Sequence, residues 1–231
     1  MRRLHRPRRH TGRWSRIRAG NSDCRRHWGG GSETGRQLAD EGKDIFILGG
    51  PNGAGKTTAA AVLLPQKLRI GAFLNADELA RGISPDNVEA VAFRAGRLMI
   101  EKMRTLVRDG QSFAFETTCA GKSYIRLLKE CQAAGWRISL TYLWVPSPEY
   151  SIARVARRVS QGGHHIPEEV IRRRYLAGLW NMRHLYLRLA YDATIYDNRD
   201  RALRLVARRA PGFPLNVIDE EIWARIEELT P

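Results

Sequence analysis

From Lys43 onward, short apolar runs alternate with longer stretches in which apolar side chains recur at every third or fourth position. The short runs read as strands and the 3.6-residue period as helices. Their alternation is the signature of an α/β fold, a parallel sheet with helices on both faces. Ile45–Leu48 is the first expected strand, and Lys56–Leu64, stopped by Pro65, the first helix. A second strand near Ile70–Leu74 leads into Asn75-Ala76-Asp77, and a long amphipathic helix runs from about Val88 to Arg108. The third strand, Ser112–Phe115, ends in Glu116-Thr117-Thr118, and a helix follows near Tyr124–Ala133. After a fourth strand at Ile138–Val145 come a helix opened by Pro148 and a longer one opened by Pro167, since proline suits a first helical position that needs no N–H. A fifth strand, Ala193–Tyr196, precedes Asp197-Asn198, and a short helix is expected around Glu220–Glu228.

The junction between the first strand and first helix carries the sharpest chemistry. Gly50-x-x-x-x-Gly55-Lys56-Thr57 is a complete phosphate-binding loop between an apolar run and an Ala-rich helix, the context that separates such a loop from a chance glycine turn. The segment Gly50, Pro51, Asn52, Gly53, Ala54, Gly55, Lys56, Thr57, Thr58 is the expected ATP-binding stretch. Its glycines open backbone angles closed to other residues, so that N–H groups turn around a triphosphate. Lys56 is placed to reach the outer phosphates and the Thr57 hydroxyl to ligate Mg²⁺, at the positive end of the following helix.

Composition limits the rest. At 231 residues and 43% hydrophobic content the chain suits one α/β domain with appendages, expected over residues 43–231. It has no apolar run near the ~20 residues of a membrane span, and three cysteines, Cys24, Cys119 and Cys131, show no metal-ligand spacing; a reducing cytoplasm is the expected setting. Of a net charge of +15, much sits in residues 1–43, which hold twelve Lys/Arg against four Asp/Glu. Residues 1–42 lack apolar periodicity and read as a basic, disordered tail or as a stretch translated upstream of the true start. A nucleic-acid-binding arm, with Trp14 and Trp28 for stacking, is the functional alternative, although nothing downstream looks like a base-reading module.

In open α/β sheets ligands bind beyond the carboxyl ends of the strands, which gathers the loop, Asp77, Glu116 and Asp197 along one edge. Asp77 is a candidate base for an acceptor hydroxyl, the alternative being an N-cap for Glu78–Arg81. Glu116 ends an apolar strand, where a carboxylate is costly unless it meets a metal, a cation or a ligand. Between Ser151 and Tyr175 two helices join through Gly162-Gly163. Ile152, Val155 and Val159 fall on a core face, and Arg154 and Arg158 share another. An arginine-rich hairpin beside a phosphate loop reads as a phosphoryl-transfer lid, because arginine supplies charge to the transition state and closure excludes water. His164 and His165 lack the further ligands of a zinc site.

Gly49–Thr58, Leu74-Asn-Ala-Asp-Glu78, Phe115-Glu-Thr-Thr118, Arg158-Val-Ser-Gln-Gly-Gly-His-His-Ile-Pro167, Arg172-Arg-Arg-Tyr175 and Tyr196-Asp-Asn198 together resemble the zeta-toxin family of P-loop kinases, in its branch often labelled a predicted ABC-type ATPase. The resemblance runs in order over roughly Lys43 to Asn198. It implies a kinase using ATP and Mg²⁺, with the 3′-hydroxyl of the amino sugar in UDP-N-acetylglucosamine as the leading acceptor and an antitoxin protein as a candidate partner. By the same resemblance Lys56 and Thr57 bind ATP and Mg²⁺, Asp77 is the catalytic base, Glu116 a substrate-site carboxylate and Arg158 a lid arginine. Where the toxins carry a second lid arginine, just before the lid proline, this chain has His164, which weakens phosphate clamping there or passes it to Arg172, Arg173 or Arg174. A motor-type ATPase without a sugar acceptor is the rival. It fits less well, since the chain has no Leu-Ser-Gly-Gly-Gln-like signature and no apolar strand ending in an Asp-Glu pair.

Overall fold

The computed structural model describes residues 43–63, 72–84, 90–200 and 202–231. The expectations for residues 1–42, for Ile70 and for the helix start at Val88 lie outside the described residues. A single seven-stranded sheet runs in the order β2-β3-β1-β4-β5-β6-β7. Its first five strands are β1 (Asp44–Gly49), β2 (Ala72–Asn75), β3 (Phe113–Thr117), β4 (Arg137–Trp144) and β5 (Asp192–Asp197). All five are parallel, and Ile45, Ile47, Phe113, Phe115, Ile138 and Leu140 on one face and Leu48, Ala114 and Leu143 on the other are almost fully buried, as a sheet covered on both faces requires.

The last two strands, β6 (Arg204–Arg209) and β7 (Asn216–Val217), are antiparallel additions that the sequence reading missed. The antiparallel edge begins at a register break between Ile195 and Tyr196. An edge ribbon needs only one apolar face; here Val206 and Ala207 supply it amid arginines.

The helices are α1 (Lys56–Leu63), α2 (Ala76–Ile83), α3 (Ala92–Arg108), α4 (Ser123–Ala133), α5 (Pro148–Val159), α6 (Glu168–Asn181), α7 (Leu187–Leu189) and α8 (Glu220–Glu228). One π-helical turn, Met182–Tyr186, links α6 to α7. Among the described residues no helix is long and apolar enough to cross a membrane. Helix α5 opens at Pro148 with the Ser147 side chain accepting from the Tyr150 N–H, the local signal the sequence carries. Val155, Ile166 and Ile171 form a small core of their own between α5 and α6, with Ile152 and Val159 packed against it.

The glycine pair between these helices forms the C-terminal stop of α5. Gly162 takes φ +87°, its N–H donates to the Val159 carbonyl at 2.9 Å and the Gly163 N–H donates to the Arg158 carbonyl at 2.9 Å, the paired bonds of a Schellman motif.

Helix α6 also grips the loop that follows β3. Asn181 Nδ2 donates to the carbonyls of Cys119 and Ala120 at 2.8 and 3.0 Å. The backbone approach is so close that a Cβ on Gly178 would stand 2.2 Å from the Thr118 carbonyl oxygen. Gly178→Ala is therefore expected to destabilise the fold by about 1–3 kcal/mol through overpacking, read as a lower melting midpoint. An unchanged midpoint would show that α6 is free to move off that loop.

Candidate functional site

Parallel strands deliver their carboxyl ends to one edge, and the site is assembled there. In β1, Gly49 leads into the phosphate-binding loop, whose Gly50, Gly53 and Gly55 have φ of 146°, 75° and 82°. These angles favour glycine alone, which accounts for their spacing in sequence. Lys56 at the start of α1 is 7% exposed; its Nζ donates to the Pro51 carbonyl at 2.9 Å and stands 3.6 Å from Glu116 Oε1.

Strand register sets the neighbours of Glu116. Asn75 of β2 lies beside it on β3, and Asn75 Nδ2 donates to Glu116 Oε2 at 3.2 Å. The Thr57 hydroxyl donates to the same oxygen at 3.1 Å. Glu116 thus ends its strand facing a cation, a hydroxyl and an amide, the partners a carboxylate needs there. A threonine hydroxyl and a carboxylate this close form an oxygen donor set that fits Mg²⁺.

Asp77 lies in the first turn of α2, and the alternative reading of it as the cap of that helix is corrected. The cap is Asn75, whose Oδ1 accepts from the N–H groups of Asp77 and Glu78 at 2.8 and 3.4 Å. Asn75 precedes the first helical residue, where a side-chain oxygen reaches the free N–H groups, whereas Asp77 is already inside the helix. With the cap supplied elsewhere, the half-buried Asp77 side chain lines a cavity of about 340 Å³ together with Lys56, Asn52 and Glu116. Asn52 Oδ1, at the buried end of the loop, has no partner among the described residues.

The outer wall of that cavity comes from α3, α4 and α6: Phe93, Arg97, Tyr124 and Arg174. The Tyr124 hydroxyl is pushed up to about 12, first by burial and then by the nearby Asp77 charge, and it donates to Met99 Sδ at 3.3 Å. Cys119 behind the loop is likewise pushed up to about 12 by burial, which leaves it an inert thiol.

Other residues go elsewhere. Asp197 is fully buried but turned away from the loop, accepting from Arg199 Nε at 2.6 Å and Arg204 Nη2 at 2.7 Å. Its neighbour Asn198 reaches the loop instead, donating to the Ala54 carbonyl at 2.7 Å. Arg154 Nη1 donates to the carbonyls of Gly53 and Asn198 at 3.3 and 2.9 Å. Arg158 does not line the cavity; its Nη2 donates to the His164 carbonyl at 3.1 Å. Of the three arginines on α6, Arg172 pairs with Glu149, Arg173 is exposed and Arg174 lines the cavity.

Sequence reasoning did not assign Asn198, Arg154 or Asn75 to the site. For Asn75 a signal exists, an Asn directly before an acidic first turn. Arg154 and Asn198 act on backbone carbonyls far away in sequence and leave no spacing to read.

The fold has counterparts among solved structures. The AvrRxo1-ORF1:-ORF2 complex solved with ATP matches with a TM-score of 0.63 at 18% identity, over 80% of this chain and 63% of that one. This chain therefore spans less than two thirds of that relative. A structure from the PezAT chromosomal toxin-antitoxin system of Streptococcus pneumoniae matches with a TM-score of 0.54 at 18% identity, over 83% of this chain and 89% of that one. At such identities these likenesses concern the fold. In sequence, an uncharacterised protein of Haemophilus influenzae is 30% identical over 135 residues, 58% of this chain and 94% of that protein. The zeta toxin family model matches residues 32–210, from before β1 through β6, and by that match the chain belongs to the zeta-toxin family of P-loop kinases.

Proposed function

We propose that the chain is an ATP-dependent kinase that transfers the γ-phosphoryl group to a hydroxyl of a small molecule, with UDP-N-acetylglucosamine as the leading acceptor. The observation that carries this reading is that one cavity is lined by Lys56, Glu116 and Asp77, an ammonium and two carboxylates. In this reading the kinase domain spans residues 43–231.

The loop N–H groups and Lys56 hold the triphosphate, Lys56 exchanging the Pro51 carbonyl for the outer phosphates. Thr57 and Glu116 would hold Mg²⁺, which would supply charge neutralisation to the phosphates. Asp77 takes the proton of the acceptor hydroxyl as that oxygen bonds to the γ-phosphorus and the bond to the β–γ bridging oxygen breaks, leaving ADP. Arg97 and Arg174 on the outer wall suit an acceptor that carries a diphosphate. The arginine-bearing hairpin α5–α6 is the lid, with Arg158 as its transition-state cation. The relatives named for a toxin-antitoxin system and for a two-protein complex support an antitoxin as the protein partner.

Asp77→Asn tests the chemistry. The variant keeps the side-chain size, and the cap of α2 is untouched because Asn75 provides it. It should bind MgATP normally, keep its melting midpoint and lose acceptor phosphorylation by roughly 10²–10⁴-fold, the worth of a general base. Phosphorylation at the wild-type rate would make Asp77 a bystander.

A further inference from the structure

The phosphate-binding loop is braced from outside. Asn198, at the end of β5 and 8% exposed, donates its side-chain N–H to the Ala54 carbonyl at 2.7 Å, and its own N–H donates to the Trp144 carbonyl at 3.0 Å. Arg154 on α5 donates to the Gly53 carbonyl and to the Asn198 carbonyl, tying loop and brace together. The fit is close. A Cβ on Gly55 would lie 2.9 Å from Asn198 Nδ2, and one on Gly53 would lie 3.0 Å from Arg154 Cβ.

A trans peptide is planar, with its C=O and N–H pointing in opposite directions. Asn198, by drawing the Ala54 carbonyl toward β5, turns the Gly55 N–H away from itself. Arg154 fixes the preceding peptide, whose N–H on Ala54 closes the turn onto the Pro51 carbonyl at 3.2 Å. Neither side chain lines the cavity.

We propose that Asn198 and Arg154 are positioning residues that hold the loop N–H groups in place for the phosphates of a nucleoside di- or triphosphate, an inference that rests on the nucleotide-binding reading above. Arg154 is thereby distinguished from Arg158: the two share a helix face in sequence, yet one serves the ground-state loop and the other the lid.

The test is calorimetric titration of the full chain with MgADP and with MgATP, well below the melting temperature. Asn198→Ala should weaken both by about tenfold, the effect expected when a buried hydrogen-bond partner is removed. Asn198→Asp, the same size but an acceptor facing an acceptor, should weaken them at least as much. Half-buried Arg154→Ala, a milder change should the Asn198 variants fail to fold, should weaken both by at least about threefold. A lower melting midpoint with unchanged MgADP affinity in these variants overturns the inference, because a merely structural brace would give that result. Lys56→Ala separates the two levels. If it loses MgADP binding while the Asn198 and Arg154 variants keep it, only the positioning role falls; if the wild type binds neither nucleotide, the nucleotide reading falls as well.

Discussion

Lys56→Ala is expected to abolish phosphoryl transfer and to weaken MgATP binding. Lys56 is buried, and its charge is shared between the Pro51 carbonyl and Glu116. Its removal costs the phosphates a cation in a water-poor site, where such a charge acts most strongly. It also leaves the Glu116 carboxylate facing the triphosphate without the ammonium 3.6 Å away that now offsets it. Both effects run in the same direction, so the loss in turnover should be on the order of 10³ or more. Single-turnover transfer and titration with MgATP measure the two parts separately. Transfer near the wild-type rate would remove the phosphate-binding assignment.

Arg158→Ala should lower kcat by about 10³–10⁵ while leaving MgATP affinity nearly unchanged, as expected of a cation used only in the transition state. In the described structure Arg158 rests on the His164 carbonyl, and its Nε is buried without a partner among the described residues. A Cβ on Gly163 would lie 2.7 Å from Arg158 Cγ, so the residue after the helix stop must stay small for the arginine to lie there. The guanidinium thus has unspent hydrogen-bonding capacity at the α5–α6 turn. A kcat within about twofold of wild type would make Arg158 a brace for the α5–α6 turn, since ordinary surface changes have effects of that size.

The parts of the fold legible in sequence were those whose signal is local and long. Ile45–Leu48 and Ile138–Val145 are apolar runs of the kind only a doubly covered strand tolerates, and both lie within observed parallel strands or one residue beyond. The strands β6 and β7 were not legible because Arg204–Arg209 is dominated by charge and Asn216–Val217 is two residues long. Their pairing rests on tertiary contact with β5. The π-helical turn at Met182–Tyr186 likewise has no local marker.

The site divides in the same way. Lys56, Thr57 and Glu116 follow from a loop motif and from the rule that strand ends gather ligands, and the structure brings them within hydrogen-bond or ion-pair reach. Asp77 lines the same cavity, while its reading as a cap fails because Asn75, two positions earlier, takes that role. Asp197 ends β5 at the same edge, as expected, but its carboxylate pairs with Arg199 and Arg204. That strand end alternates faces, and only contact with the loop reveals that Asn198 is the residue turned toward it.

The account is tested most directly by following the γ-phosphoryl group of labelled ATP across a panel of nucleotide sugars, with the phosphorylated position located by NMR. Acceptor-dependent transfer to a sugar hydroxyl, strongest with UDP-N-acetylglucosamine and lost in Asp77→Asn, is the predicted result. ATP hydrolysis at the same rate with and without every acceptor, and no phosphorylated sugar, would contradict the kinase reading and favour an ATPase.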